Sequence, residues 1–362
     1  MTWLITGGAG YIGAHVVRAM TEAGERTVVY DDLSTGIAER VPDGVPLVVG
    51  SVLDGERVAR ALADHSVTGV VHLAAKKQVG ESVQLPLDYY RENVEGLRVL
   101  LEAVTAAEVP SFVFSSSAAV YGMPDVDLVT EETPCLPMSP YGETKLAGEW
   151  LVRATGRATG LSTACLRYFN VAGAASPELA DTGVHNLVPM VFEKLTESAA
   201  PRIFGDDYAT PDGTCVRDYI HVVDVAEAHV AAARALGSSP GRTLTLNVGR
   251  GEGVSVREMI DRINALTGYG HPPDGHSAPP RRPGPRGRLG RPRRRGTGLE
   301  GQVRRRGHDH VGVGGLGAAA SGGRAGLGPV RAGFTAPAPA RREERPVQRS
   351  RAARSTASAM AR

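Results

Sequence analysis

The chain is poor in cysteine: Cys135, Cys165 and Cys215 are the only three in 362 residues, odd in number and far apart. That excludes a disulfide framework and any zinc-like spacing, so no metal site is expected. No run of about 18 apolar residues occurs, so no segment reads as a membrane-spanning helix. Nor does the chain open on a basic, apolar leader; it opens on the strand-like run Trp3-Leu4-Ile5-Thr6. A soluble protein of a reducing, cytoplasmic compartment is the expectation.

Lysine, isoleucine and aromatics are what the last quarter lacks. Residues 271–362 hold 20 Arg, no Lys and 5 acids, a balance of +15, with Phe334 as the one aromatic. Residues 1–270 hold 21 Lys+Arg against 34 Asp+Glu, a balance of −13, so the net +2 conceals a reversal. A stretch rich in Arg, Gly, Pro and Ala cannot bury a core. Taken at face value it is a disordered basic arm for nucleic acid or acidic surfaces.

Elsewhere the pattern is regular. Short apolar runs at Trp3–Thr6, Thr27–Asp31, Leu47–Gly50, Gly69–Ala75, Phe112–Ser117 and Thr163–Phe169 predict strands. Amphipathic stretches near Ile12–Ala23, Gly55–Asp64, Leu87–Ala107 and Tyr141–Thr155 predict the helices between them. Strands apolar on both faces and separated by helices imply an α/β fold, a Rossmann-type doubly wound parallel sheet with covered faces. From 174 to 270 the elements become less regular, and a smaller C-terminal substrate region is expected after a cofactor domain over 1–173. Helices are predicted near Leu187–Thr196, Asp224–Leu236 and Val256–Leu266, and strands at Arg202–Gly205 and Leu244–Val248.

The stretch TWLITGGAGYIGAHVV places Gly7, Gly10 and Gly13 directly after a strand and before a helix. Such glycines allow a tight turn, close backbone approach to a pyrophosphate, and close helix packing, with the helix N-terminus facing the phosphates. The spacing departs by one residue from the usual Gly-x-Gly-x-x-Gly. Asp31 follows Gly13 by 18 residues, where an acid accepts from an adenosine ribose and repels a 2′-phosphate. NAD rather than NADP is expected. The bland reading makes Asp31 and Asp32 two loop acids capping a turn.

SPYGETK, residues 139–145, puts Tyr141 and Lys145 one helical turn apart on one face. Alone, that is a half-buried phenol beside a surface lysine. A free phenol titrates near pH 10. A neighbouring ammonium and a positive nicotinamide ring would lower that value towards a usable base. Ser117 ends a strand where α/β sheets bind ligands, although a serine run there is also ordinary turn chemistry.

With HLAAKKQVGESV, NVEG, FSSSAAVYG, LRYFNVAGA and VRDYIHVVDVAEAH in order, the chain is identified as a member of the extended short-chain dehydrogenase/reductases. Over residues 1 to about 270 it resembles the UDP-glucose 4-epimerase family of galactose metabolism. The resemblance implies that Tyr141 is the catalytic phenol, Lys145 its partner, and Ser117 a hydrogen-bonding relay. The implied reaction removes hydride from C4 of a UDP-hexose and returns it to the opposite face. For the cofactor it matches Gly7, Gly10, Tyr11, Ile12, Gly13, Asp31, Asp32, Leu33, Ser34, Thr35, Gly36, Ser51, Val52, Leu73, Ala74, Ala75, Lys77, Asn93, Lys145 and Phe169. For the UDP-sugar it matches Asn170, Asn186, Leu187, Ile203, Phe204 and Arg217, besides Ser117 and Tyr141. Arg217 could grip a diphosphate bidentately, or simply pair with Asp218 or Asp224. The long helices 87–107 and 141–155 match those of an intersubunit bundle, so a homodimer is implied.

Two matched positions depart from the family: Ser51 stands where relatives carry Asp, and Glu92 where Asn is frequent. A 4,6-dehydratase would need an acidic pair where this chain has Ala118-Ala119. An epimerase for another UDP-sugar remains an alternative. So does a non-catalytic NAD-binding regulator with a basic tail, although such proteins tend to lose the Tyr/Lys pair. The tail also reads as GC-rich coding DNA out of frame. Thr297 to Val303, written ACT GGG CTG GAA GGC CAA GTA, gives Leu-Gly-Trp-Lys-Ala-Lys one base later, which resembles the family's C-terminal region. Relatives use an Arg and an Asp there to close over the UDP-sugar. Here Arg281-Arg282 is followed by Pro283-Gly284-Pro285. The expectation is an impaired substrate clamp and, despite the basic tail, no nucleic-acid role.

Overall fold

The computed structural model describes residues 1–268 and the backbone of 274–276. Apart from that short strand, the expectations for residues 271–362, including disorder, out-of-frame origin and the Arg281-Arg282 pair, lie outside the described residues.

In chain order the elements are β1 (Thr2–Thr6), α1 (Tyr11–Glu22), β2 (Arg26–Asp31), β3 (Leu47–Val49), α2 (Gly55–Asp64), β4 (Gly69–His72), α3 (Val79–Gln84) and α4 (Pro86–Tyr90). They continue with α5 (Gly96–Ala106), β5 (Ser111–Ser117), α6 (Pro140–Thr159), β6 (Ser162–Tyr168), β7 (Asn170–Ala172), α7 (Leu187–Thr196) and β8 (Arg202–Phe204). The last are β9 (Val216–His221), α8 (Val222–Gly237), β10 (Thr243–Val248), β11 (Gly253–Ser255), α9 (Val256–Thr267) and β12 (Asp274–His276). Seven strands form one parallel sheet in the order β10-β6-β5-β4-β1-β2-β3. The connections from β1 run to β2 on one side and later to β4 on the other. That reversal opens a crevice at the C-terminal strand ends, where such sheets bind ligands.

Alternation along the strands divides the core. Trp3 and Ile5 of β1, Val71 of β4, Val113 of β5 and Leu166 of β6 face α1 and α8, meeting Val16, Met20, Val225 and Ala233. Their neighbours Leu4, Val70, Phe112, Phe114 and Cys165 face α2, α5 and α6, meeting Leu62, Leu97, Leu100 and Val152. Each large apolar side chain so buried contributes roughly 1.5–3 kcal/mol relative to exposure. This two-sided burial is why the strands carry no polar face.

The central elements lie where the sequence places them, with two informative departures. The strand predicted for Gly69–Ala75 ends at His72, because residues 73–75 leave the sheet to line the crevice. The helix predicted for Leu87–Ala107 is α4, a π turn over Arg91–Glu95, then α5. A π turn inserts an extra residue into the ladder and re-aims side chains; here it carries the buried Asn93. Beyond the main sheet, β7 pairs with β9 and β9 with β11, while β8 pairs with β12. The strand β10, Thr243–Val248, returns from the C-terminal half to extend the main sheet beside β6.

Candidate active site

A cleft of about 2990 Å³ runs along the C-terminal edge of the main sheet. One part is built by backbone. Gly7 has φ +73°, and a Cβ there would lie 2.6 Å from the Ala74 backbone nitrogen. A Cβ on Gly13 would collide with the Gly7 carbonyl, so only glycine lets α1 begin against the loop. Helix α1 has Gly10 as its N-cap, with no capping side chain and no acid in its first turn. Its leading amides and its dipole are therefore free for an anion.

Beside this loop, Asp31 at the end of β2 is buried, and burial pushes its carboxyl pKa up. Backbone hydrogen bonds from Leu33 N (2.9 Å) and Ala9 N (3.0 Å) oppose that rise. Asp31 thus ties the glycine loop to the turn after β2 while still lining the cleft; the turn-capping and ribose-facing readings are compatible. Asp32 accepts from Ser34 N and Ser34 Oγ. Gly7, Gly10, Tyr11, Ile12, Gly13, Asp31, Asp32, Ser34, Thr35 and Gly36 line the cleft. So do Ser51, Val52, Leu73, Ala74, Ala75, Lys77 and Phe169. Leu33 packs instead against the core. Asn93 does not line the cleft: its amide donates to Lys76 O and Thr144 Oγ1 and accepts from Lys76 N, joining the loop after β4 to α6. These residues fit an extended dinucleotide, with the glycine loop and α1 N-terminus for its diphosphate and Asp31 for a ribose.

Helix α6 delivers the other chemistry. Ser139 caps it, its Oγ accepting from Gly142 N (3.2 Å), and Pro140 occupies the first turn. Tyr141 then sits one residue inside the helix, with its phenol beside Ser117 at the end of β5. Burial raises the Tyr141 phenol pKa, and the Ser117 bond lowers it. Ser117 Oγ also accepts from Ala119 N at 3.1 Å, which fixes its orientation. Lys145, one turn on, donates to Ser115 O (2.9 Å), with Nζ 5.2 Å from the Phe114 ring centre and 6.0 Å from that of Tyr141. Loss of water lowers its pKa to about 8. Burial therefore dominates at the phenol, Ser117 partly offsets it, and the lysine is anchored to the strand.

Along the far wall, Asn170, Asn186 and Arg217 line the same cleft. Asn186 stands at the N-cap position of α7 without a capping side-chain bond, and its amide donates to Asp181 Oδ2 at 2.9 Å. Asp218 is occupied by Arg250 N and Gly251 N, and its neighbour Arg217 is an exposed side chain of β9 on the cleft wall. Leu187 and Ile203 pack with Ile260 and Ile263 in a separate small core, and Phe204 is exposed; none of the three lines the cleft.

The sequence reading passed over a buried group beneath α6. Glu149 pairs with Arg167 of β6, and Tyr121 and Asn247 lie beside them on the cleft. One signal was available: Arg167 is a charge within an otherwise apolar strand run.

A parallel sheet reversing at β1, a glycine loop before α1, and a Tyr/Lys helix meeting a serine strand end define a dinucleotide-dependent enzyme of the short-chain type. The chain matches the NAD dependent epimerase/dehydratase family over residues 3–249. It is 46% identical over 270 residues to the UDP-glucose 4-epimerase of Azospirillum brasilense, covering 73% of this chain and 77% of that one. A crystal structure of UDP-glucose 4-epimerase from Brucella ovis in complex with NAD superposes with a TM-score of 0.73 at 39% identity, covering 77% of this chain and 86% of that chain. Another, from Bifidobacterium longum in complex with NAD+ and UDP, gives 0.71 at 35% identity, covering 79% and 88%. The chain belongs to the NAD dependent epimerase/dehydratase family.

Proposed function

We propose that this protein interconverts UDP-glucose and UDP-galactose, inverting C4 with NAD as a cofactor that ends as it began. The observation that carries the reading is the contact of Tyr141 with Ser117 and the anchoring of Lys145 at the cleft that the glycine loop also lines. Bound NAD supplies hydride acceptance and return at C4. Tyr141 takes the proton of the sugar 4-hydroxyl and gives it back, with the Ser117 hydroxyl orienting the phenol and the sugar oxygen. The Lys145 ammonium favours the phenolate electrostatically. Asn170, Asn186 and Arg217 hold the nucleotide end, and the matched residues along the glycine-loop wall hold the cofactor. The proposed division is a cofactor part, 1–173 with later returning segments, and a substrate region over 174–270.

The same proposal includes a homodimer and a cytoplasmic location. Leu87 of α4 and Trp150 of α6 are 83% and 59% exposed, large apolar side chains on helices that pack together. Sedimentation of the purified protein tests the dimer, and Trp150→Glu should weaken it. The three cysteines are unpaired, as a reducing compartment would keep them; among the described residues no helix is long and apolar enough to cross a membrane. The out-of-frame tail is also part of the proposal, with NAD binding surviving better than the grip on the UDP-sugar. Its support is the charge reversal after residue 270. Resequencing the gene tests the cause, and a Michaelis constant for UDP-galactose equal to that of a relative would remove the impairment.

The main test is direct. UDP-galactose added to the purified protein should raise NADH absorbance at the bound cofactor and yield UDP-glucose. A protein that purifies with NAD but does neither would overturn the epimerase reading.

A further inference from the structure

Ser115, Ser116 and Ser117 close β5, and α6 holds all three. Tyr141 meets the Ser117 hydroxyl, Lys145 Nζ donates to the Ser115 carbonyl at 2.9 Å, and Ser116 Oγ donates to Glu149 Oε1 at 2.5 Å. Tyr141, Lys145 and Glu149 are spaced by four, so three turns of one helix face meet three neighbouring residues of one strand. Only the first two of these side chains have a place in the proton chemistry.

Glu149 is in turn fixed from the next strand. Arg167 of β6 reaches it with two prongs, Nε to Oε1 at 2.7 Å and Nη2 to Oε2 at 2.6 Å. The two side chains are 0% and 4% exposed. The remaining Arg167 nitrogen, Nη1, donates to the Tyr121 hydroxyl at 2.8 Å, and that hydroxyl donates to Asn247 Oδ1 of β10 at 2.6 Å. A planar fork on a carboxylate tolerates little sliding or rotation. Moving a helix by one residue advances it about 1.5 Å, which is more than a hydrogen bond absorbs. Once desolvated, such a pair has no solvent partner to fall back on, so its geometry is held firmly.

We propose that Glu149 and Arg167 are positioning residues: their buried pair sets the register of α6 on β5 and so keeps Tyr141 against Ser117 and Lys145 against Ser115. The kinetic readout of this role rests on the epimerase reading, whereas the spectroscopic one does not.

The test uses the NAD-loaded holoenzyme carrying Glu149→Gln, which keeps the side-chain shape but cannot accept from Ser116 and both Arg167 prongs as a carboxylate. Turnover of UDP-galactose should fall roughly 10- to 100-fold, as for misplaced catalytic groups, with KM and bound NAD within twofold of the parent. The Tyr141 phenolate titration, read as near-ultraviolet absorbance of parent minus Tyr141→Phe, should shift by roughly half a pH unit or more when the same subtraction is made in the variant. A pair serving only stability would lower the melting temperature and leave both readouts unmoved. A folded, NAD-loaded E149Q with turnover within twofold and an unshifted titration overturns the proposal. Should that variant fail to fold, Ser116→Ala, which deletes one small hydroxyl, decides by the same readouts: a several-fold loss with a shifted titration supports positioning, and no change overturns it. If the parent itself has no epimerase activity, that reading fails separately, and the titration still decides the role of Glu149.

Discussion

Replacing Lys145 with methionine should stabilise the cofactor-free protein at neutral pH while removing its catalysis. The Lys145 ammonium lies under Phe114 and Tyr141, and burial lowers its pKa from 10.5 to about 8. A lowered pKa on a basic group means that the folded state is penalised for carrying the charge. The penalty is complete below about pH 8 and is relieved as pH rises towards the unfolded value. At about 1.4 kcal/mol per pKa unit the penalty is about 3 kcal/mol at neutral pH. Methionine fills similar volume without the charge and forfeits the bond to Ser115 O, which is worth about 1–3 kcal/mol if that carbonyl is left unpaired. A net gain of about 1 kcal/mol follows. The nearby His72, held neutral down to about pH 3, does not titrate in this window. The assay is urea unfolding of NAD-stripped parent and variant from neutral pH to about pH 10, the ordinary lysine range. The parent should gain stability across that range relative to Lys145→Met. A variant clearly less stable at neutral pH, or a difference between the two proteins that stays constant with pH, would refute the reasoning.

Tyr141→Phe should fold and bind NAD normally but lose roughly 10²- to 10⁴-fold in turnover, the usual worth of a positioned proton-transfer group; near-normal steady-state turnover would sink the assignment. Gly13→Ala should lose bound NAD, because its Cβ meets the Gly7 carbonyl and pushes α1 away from the loop; the cofactor content of the purified variant checks this. Acid should destabilise the fold through His72 and His229, which burial holds neutral down to about 3 and about 4. Their contribution is complete above the ordinary value of about 6.5 and falls by about 1.4 kcal/mol per pH unit for each histidine below it. His229→Gln should show a slope shallower by about 1.4 kcal/mol per pH unit, measured by unfolding between neutral pH and about pH 4.5.

The parts of the site set by local spacing were legible in the sequence. The glycine loop and α1 stand where a strand–Gly–helix pattern puts them, and the Tyr141/Lys145 face follows from helical periodicity alone. What local pattern cannot carry is pairing between distant segments. The small sheet β11-β9-β7 joins strands of three to six residues from separate parts of the chain. Its register depends on partners that no single window contains. The π turn at Arg91–Glu95 leaves the helical apolar pattern nearly intact, so the continuous helix was the natural reading. Asn93, matched as a cofactor contact, holds Lys76 and Thr144 instead, at one remove from the cleft. Ile203 and Phe204 show the limit of carrying positions over as a pair. Adjacent strand residues point to opposite faces, and here one is buried in the small core while the other is exposed.

The two walls of the cleft differ in what they are made of, and this bears on how each tolerates change elsewhere in the chain. The glycine-loop wall is mostly backbone: the loop, the α1 amides and an Asp31 carboxylate already fixed by Ala9 and Leu33. The loop, the α1 amides and the bonds to Asp31 all lie within the first 33 residues and are backed by the main-sheet core on both faces. The opposite wall is mostly side chains, Asn170, Asn186 and Arg217, borne by the first residue of β7, the cap of α7 and the strand β9. Among the described residues, the core beside that wall holds five buried side chains. Ordering a long side chain costs about 0.5–1.5 kcal/mol on binding, whereas a preformed backbone cradle has no such cost. On the proposed assignment, change elsewhere in the chain would act first on the side-chain wall and last on the backbone wall. Tyr141, Lys145 and Ser117 line the same cleft and are held by α6 and β5, so on the same proposal the proton-transfer groups keep their geometry even where substrate affinity is reduced.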